Sequence, residues 1–277
     1  MAPPIILVTG STDGIGKATA LRLIALGGEV IIHGRNAKKG TIVRKELAKI
    51  TGNAMPELLV ADLSVQDQIR QMARDISSRY DRLDVLINNA GIYQPERLLT
   101  REGVELTFAV NYLAPFLLTQ LIFPILQKSA SRIVTVASSA HEDVNRIDWG
   151  NLPAQEHYSA WGAYALSKFA DITFTYRLAC LAKGSGVTVN CLHPGVTDTK
   201  LLRSAFPGYP AITLEEGART SVCLATSEEV NGVSGHYFDS RKQVRSSDLT
   251  YNRSVQDRLW KIAEDLTHVD PALINQR

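Results

Sequence analysis

Apolar positions along this chain fall into two alternating rhythms. Short runs of consecutive apolar residues are separated by longer stretches in which apolar residues return every three or four positions. The runs at 5–8, 29–33, 57–61, 83–87, 132–137 and 187–192, with a shorter one at 236–238, read as strands buried on both faces. Between them the helical rhythm predicts a helix from the turn after residue 10 to about Leu26, then helices at 37–51, 65–80, 102–128, 160–183, 214–226 and 254–266. Asn111 and Pro115 interrupt the 102–128 stretch, and asparagine inside a helix implies a kink or an internal hydrogen bond. Segments 141–159 and 199–212 read as irregular. No linker, repeat or low-complexity segment divides the chain. The prediction is one α/β domain over 1–277: a doubly wound, Rossmann-type parallel sheet of about seven strands with helices on both faces.

In such a sheet ligands bind beyond the carboxyl ends of the strands, and several polar or small residues fall there. The first strand runs into Thr9-Gly10-Ser11-Thr12-Asp13-Gly14-Ile15-Gly16. This glycine-rich turn before a helix suits either a pyrophosphate cradle or a tight turn without a ligand. Its spacing is G-x-x-x-G-x-G rather than G-x-G-x-x-G. The second strand ends in His33-Gly34-Arg35, with Lys38 and Lys39 following. A NAD-type site would place an acid there. A guanidinium suits a ribose 2′-phosphate, or simply begins a solvated helix. Asp62-Leu63 ends the third strand, where an aspartate commonly caps a helix. Asn88-Asn89-Ala90-Gly91 follows the fourth, as a turn beneath a ligand or a tight crossover. Ser138-Ser139 follow the fifth, and His193-Pro194-Gly195-Val196-Thr197-Asp198-Thr199 the sixth.

Tyr164 and Lys168 stand four apart on the 160–183 helix, hence on one face. A lysine ammonium near a phenol favours its ionised form and brings the tyrosine toward acid–base chemistry. The same pair also suits an ordinary solvated face. His141, beside Ser139, could orient its loop or add an acid–base group. Trp149, Tyr158, Trp161, Phe206 and Tyr209 fall in the two segments flanking this region and either line an apolar substrate site or pack their loops.

Composition narrows the field. The 277 residues are 45% hydrophobic with a formal net charge of +2, acids and bases interspersed, which gives no sign of a nucleic-acid partner. No stretch reaches the roughly 18 uninterrupted apolar residues of a membrane helix, and residues 1–10 lack the pattern of a signal peptide. Cys180, Cys191 and Cys223 are scattered, so no metal site is expected and a reducing, cytoplasmic setting is.

These motifs, in this order, resemble the short-chain dehydrogenase/reductase family over essentially the whole chain: TGxxxGIG (Thr9 to Gly16), NNAG (Asn88 to Gly91), Asn111, a strand-end serine, YxxxK (Tyr164 to Lys168) and Pro194-Gly195. The stretches 111–119, 138–141, 193–196 and 237–239, and the wide gap between Ser139 and Tyr164, resemble its retinol dehydrogenase-like branch, although the N-terminal hydrophobic anchor of the membrane-bound members is not expected here. The resemblance implies a catalytic set of Asn111, Ser139, Tyr164 and Lys168, with Asn111 holding a water that relays protons. It implies a cofactor site of Gly10, Ser11, Asp13, Gly14, Ile15, Gly16, Arg35, Asp62, Leu63, Asn88, Ala90, Gly91, Tyr164, Lys168, Pro194, Val196 and Thr199. The expected function is NADP(H)-dependent hydride transfer to or from a small-molecule carbonyl or alcohol of apolar character. Reduction is the expected direction, and a homodimer or homotetramer forming through the two long helices is the expected assembly. The alternatives are an NAD-linked alcohol dehydrogenase and a cofactor-sensing protein on the same fold.

Overall fold

Residues Ile6, Leu7 and Val8 are almost wholly removed from solvent, which is why this apolar run forms the middle of the sheet. In the computed structural model, which describes residues 2–52, 54–152, 157–270 and 274, β1 (Ile5–Val8) lies between β2 (Glu29–Gly34) and β4 (Val85–Asn88). β3 (Glu57–Val60) flanks β2; β5 (Arg132–Val136), β6 (Thr188–His193) and β7 (His236–Asp239) extend the other side. The order is β3-β2-β1-β4-β5-β6-β7-β8, and the first seven strands are parallel. The order in which strands are added reverses at β1 and β4, so the crevice where ligands gather opens above those strands. Part of the segment expected to be irregular, residues 153–156, lies outside the described residues.

The eighth strand, β8 (Lys242–Val244), was not expected. It pairs antiparallel with β7 through a two-residue turn, Ser240-Arg241, both with positive φ. Such a turn usually carries Asn or Gly. Here neither is present and all three residues of β8 lie on the exposed side, so no sequence signal marks it.

Alternate residues of each strand feed two cores. Leu7, Ile31, Leu86, Ile133 and Val189 face α3 (Gln66–Arg79), α5 (Ala114–Lys128), α6 (Ala160–Leu181) and α9 (Arg253–Thr267). Ile6, Val8, Ile32, Ile87 and Val134 face α1 (Gly14–Ala25), α2 (Ala37–Thr51) and α8 (Leu214–Thr226). The helix expected from residue 102 starts later, at α4 (Leu106–Phe108), where the buried Glu105 carboxylate accepts the N–H groups of Thr107 and Phe108 at 2.9 and 2.8 Å. A wide π turn, Ala109–Leu113, then leads into α5. Pro115 has no N–H for the Asn111 carbonyl, and its ring crowds that carbonyl, which widens the turn. The 106–128 stretch is apolar and long enough to cross a membrane, but it is almost entirely buried in this fold, as a core helix is.

α9 packs over part of α5 and α6, the two long helices expected to form the assembly. On α9, Trp260 packs edge-on against Phe116 at 4.9 Å and stacks on Phe174 at 5.9 Å, and Asp257 pairs with Arg177 at 2.8 Å. The Tyr112 hydroxyl donates to the Leu259 carbonyl at 3.0 Å.

Candidate active site

The strand ends and the loops above them enclose one long cleft of about 1100 Å³. Gly10, Asp13, Gly14, Ile15, Gly16, Arg35, Asp62, Leu63, Ala90, Gly91, Ser139, Tyr164, Lys168, Pro194, Val196 and Thr199 all line it, so most of the expected residues meet in one place. Ser11, Asn88 and Asn111 are not among the lining residues.

At one end the backbone is fitted closely. Gly10 has φ +65°, and a Cβ there would stand 2.8 Å from the Ala90 Cα; at Gly16 a Cβ would stand 2.5 Å from the Gly10 carbonyl oxygen. Only glycine lets the start of α1 approach the β1 turn so nearly. The Thr9 hydroxyl accepts the N–H groups of Asn89 and Ala90 at 3.0 and 3.1 Å and ties the NNAG turn to the same loop. A cradle without side chains at the N-terminus of a twelve-residue helix fits a pyrophosphate.

His33 braces this cradle. Its Nδ1 accepts the Gly10 N–H at 3.0 Å, so its Nε2–H donates to the Ala61 carbonyl at 3.1 Å. Burial pushes its pKa down to about 4, so the ring is neutral at neutral pH. Ser11 also works inside the wall, since its hydroxyl donates to the Val8 carbonyl at 2.7 Å and accepts the His33 N–H at 2.9 Å. Neither role has a clear sequence signal beyond a histidine at the strand end where a NAD-type site places an acid.

The charged end of the cleft is basic. Arg35 is exposed and has no carboxylate partner among the described residues, whereas Lys39 pairs with Asp13 at 2.6 Å. Asp13 also caps Gly14 at 2.9 Å and pairs with Lys200 at 2.8 Å. Burial opposes its charge, but the bonds from Lys200, Lys39 and Gly14 outweigh that and hold its carboxyl well below the usual carboxylate range. Lys200 begins α7 (Lys200–Ala205), a helix inside a stretch expected to be loose; Thr199 caps it by accepting the Leu202 N–H at 3.1 Å. Asp62 makes a local turn, accepting from the backbone and hydroxyl of Ser64 at 2.9 and 2.7 Å, rather than capping α3.

At the other end, Ser139 follows β5. Its N–H donates to His193 Nδ1 at 3.2 Å, and the preceding Ser138 caps the short 3₁₀ turn Ser139–Asp143. His141 is fully buried; Nδ1 bonds the Ser138 carbonyl at 2.7 Å and Nε2 accepts the Ser247 N–H at 3.2 Å, so it orients the loop. Burial lowers the pKa of both His141 and His193.

On α6, Lys168 Nζ lies 6.0 Å from the centre of the Tyr164 ring. It donates to the Val136 carbonyl and to Asp171 Oδ2, each at 2.9 Å. Asp171, which the sequence reading did not single out, is thus part of the site's foundation. The Asn111 amide is committed: Oδ1 accepts the Ile92 N–H at 2.8 Å, and Nδ2 donates to the Ile92 carbonyl and the Ser167 hydroxyl, both at 3.0 Å. Asn88 donates to the Thr119 hydroxyl at 3.2 Å and fixes β4 to α5.

Trp161, Phe206 and Tyr209 line the substrate end of the cleft, together with Tyr93, which was not expected. Tyr93 stands 5.8 Å from Tyr164 and 6.0 Å from Phe206, and Trp161 stands 5.5 Å from Phe206. Trp149 and Tyr158 are absent from the lining. Trp149 lies beneath the Arg258 guanidinium at 4.2 Å, and the Tyr158 hydroxyl donates to the Gln94 carbonyl. Among the described residues no cluster of His, Cys, Asp or Glu could hold a metal ion.

The chain matches the family model for short chain dehydrogenase over residues 4–210. Human polyprenol dehydrogenase is 39% identical over 282 residues, covering 96% of this chain and 85% of the relative. Human retinol dehydrogenase 11 is 38% identical over 271 residues, covering 95% and 85%. A solved structure of an uncharacterized protein from Mycobacterium paratuberculosis superposes with TM-score 0.80 at 28% identity, covering 97% of this chain and 95% of that one. A short chain dehydrogenase from Escherichia coli CFT073, complexed with NADPH, superposes with TM-score 0.71 at 30% identity, covering 86% and 97%.

Proposed function

Because this chain belongs to the short chain dehydrogenase family and is an oxidoreductase of its retinol dehydrogenase-like branch, we propose that it uses NADP(H) to interconvert a carbonyl and an alcohol on an apolar small molecule. One observation carries the reading: Ser139, Tyr164 and Lys168 meet in the same cleft as the glycine cradle. The dinucleotide, when bound, supplies or takes the hydride.

The residues of the chain do the rest. Gly10, Gly14 and Gly16 leave room for a pyrophosphate against the N-terminus of α1. Arg35 at the end of β2, with no acid beside it, suits a 2′-phosphate, and NADPH is the ligand of the Escherichia coli relative. Ser139, at the mouth of β5, donates a hydrogen bond to the substrate oxygen and stabilises the charge that develops there. Tyr164 hands its proton to that oxygen in reduction and removes it in oxidation, with the Lys168 ammonium beneath its ring. The Asn111 side chain holds the wide turn against Ile92 and Ser167. Tyr93, Trp161, Phe206 and Tyr209 give the substrate an aromatic enclosure.

The test is Tyr164→Phe with a panel of apolar aldehydes, ketones and alcohols. The variant should bind NADPH as the wild type does and transfer no hydride. Near-normal turnover by the variant would overturn the mechanism.

A further inference from the structure

Tyr164, Lys168 and Asp171 form one stripe on α6, at spacings of four and three residues, with the lysine in the middle. Lys168 and Asp171 are both buried, with side chains 5% and 1% exposed and 2.9 Å between Nζ and Oδ2. Asp171 Oδ1 is buried without a hydrogen-bond partner, so the carboxylate is compensated on one oxygen only, by the lysine that faces the tyrosine. Elsewhere in the walls around it, Tyr112 from the wide turn and Cys191 from β6 are the titratable groups, and burial pushes both up, so neither carries charge. Lys168 is therefore the one charged group facing Asp171 among the described residues.

We propose that Asp171 is a positioning residue that anchors the Lys168 ammonium under the Tyr164 ring and offsets its charge, so that the tyrosine keeps its proton and the site favours carbonyl reduction. The inference rests on the hydride-transfer reading of the same cleft. A lone ammonium beneath a phenol draws it toward phenolate; an ammonium paired with a carboxylate presents a dipole, whose pull is far smaller. The pair also fixes the lysine, since two of its three N–H bonds end on Asp171 and the Val136 carbonyl. Burial, only partly opposed by Lys168, holds the Asp171 carboxyl above the usual carboxylate range. Once it is protonated the offset disappears while the lysine keeps its charge.

Asp171→Asn removes the charge and keeps an oxygen that can accept from Lys168. In the wild type and in this variant, the pH dependence of kcat is measured for alcohol oxidation and for carbonyl reduction. Both limbs that report Tyr164 should move to lower pH in the variant, by about one unit, the size of shift a unit charge produces at several ångströms through a medium of dielectric about 20. A second measurement needs no turnover. The near-ultraviolet phenolate band is titrated in the wild type and in Tyr164→Phe, and the difference isolates Tyr164; the same difference taken in an Asp171→Asn background should rise at lower pH. Asp171→Ser, which also removes the charge, serves if the asparagine variant does not fold. Limbs or titrations that superpose on the wild type, or move to higher pH, overturn the proposal. If the wild type turns over no carbonyl or alcohol, the hydride-transfer reading fails while the titration still decides the role of Asp171.

Discussion

The Nδ1 atom of His33 accepts the backbone N–H of Gly10 at 3.0 Å, so a side chain at the end of β2 sets the shape of the loop that follows β1. The bond exists only while the ring is neutral. The loop and the pH dependence of the fold are therefore linked through one residue.

The first prediction concerns acid stability. His33 has a folded pKa of about 4 against an ordinary value of 6.5, so between those values the unfolded chain binds a proton that the folded chain does not. Its contribution is complete above pH 6.5 and falls by about 1.4 kcal/mol per pH unit as the pH drops toward 4. Asp171 works in the opposite sense: burial holds its folded pKa above the ordinary 3.8, so the folded chain gains a proton first as pH falls and gains stability over that interval. Where this interval overlaps that of His33 the two slopes oppose each other. In Asp171→Asn the opposing slope is gone. Urea unfolding at a series of pH values should show the variant losing about 1.4 kcal/mol per pH unit relative to the wild type across that interval. Parallel curves would show that Asp171 does not titrate there.

Legibility followed the range of the interactions. β1, the glycine turn and the spacing of Tyr164 to Lys168 are local patterns, and a run such as Ile5 to Val8 has no alternative but burial. Ser11 and Asn88 could not be placed so. A small polar residue next to a ligand loop reads alike whether it faces the cleft or, as here, turns inward to Val8 or Thr119. Asp171 carries no local signal, because its pairing with Lys168 is one of many i, i+3 possibilities on α6 and its burial depends on how that helix packs. Trp260 gave no hint that it would cover Phe116 and Phe174, more than eighty residues before it in the chain, because that contact depends on where α9 docks.

Docking of α9 gives the second prediction. Trp260 is almost fully buried between α5 and α6, so Trp260→Ala should cost about 3–5 kcal/mol of stability by opening a cavity. Denaturant unfolding measures the loss.

Arg35 gives the third. Replacing it with alanine should weaken NADPH binding by about ten- to a hundredfold, the worth of one or two charge-assisted bonds to a phosphate, and leave NADH binding unchanged. Titration of both dinucleotides checks it. Equal losses for the two would place Arg35 outside the 2′-phosphate site and leave Lys39 as the residue to examine, after its release from Asp13.

The aromatic enclosure gives the last. Tyr93 and Trp161 each contact both Phe206 and Tyr164, and Trp161 and Phe206 remain 37% and 38% exposed, so each still has surface to bury against a ligand. Apolar area buried by a substrate is worth about 25 cal/mol per Å², and a long hydrocarbon chain covers far more of this wall than a two- or three-carbon carbonyl does. Trp161→Ala and Phe206→Ala should therefore raise KM for long-chain or polycyclic carbonyls by about tenfold each, an effect of roughly 1–2 kcal/mol. For short carbonyls KM should stay near its wild-type value, because such substrates reach Ser139 and Tyr164 without touching the outer rings. The two single variants share the Trp161–Phe206 contact, so the double variant should lose less than the sum of both. Steady-state kinetics over a series of aldehydes of increasing length tests all three statements. A KM penalty independent of substrate length would show that these rings hold the loop and α7 in place and do not bind the substrate.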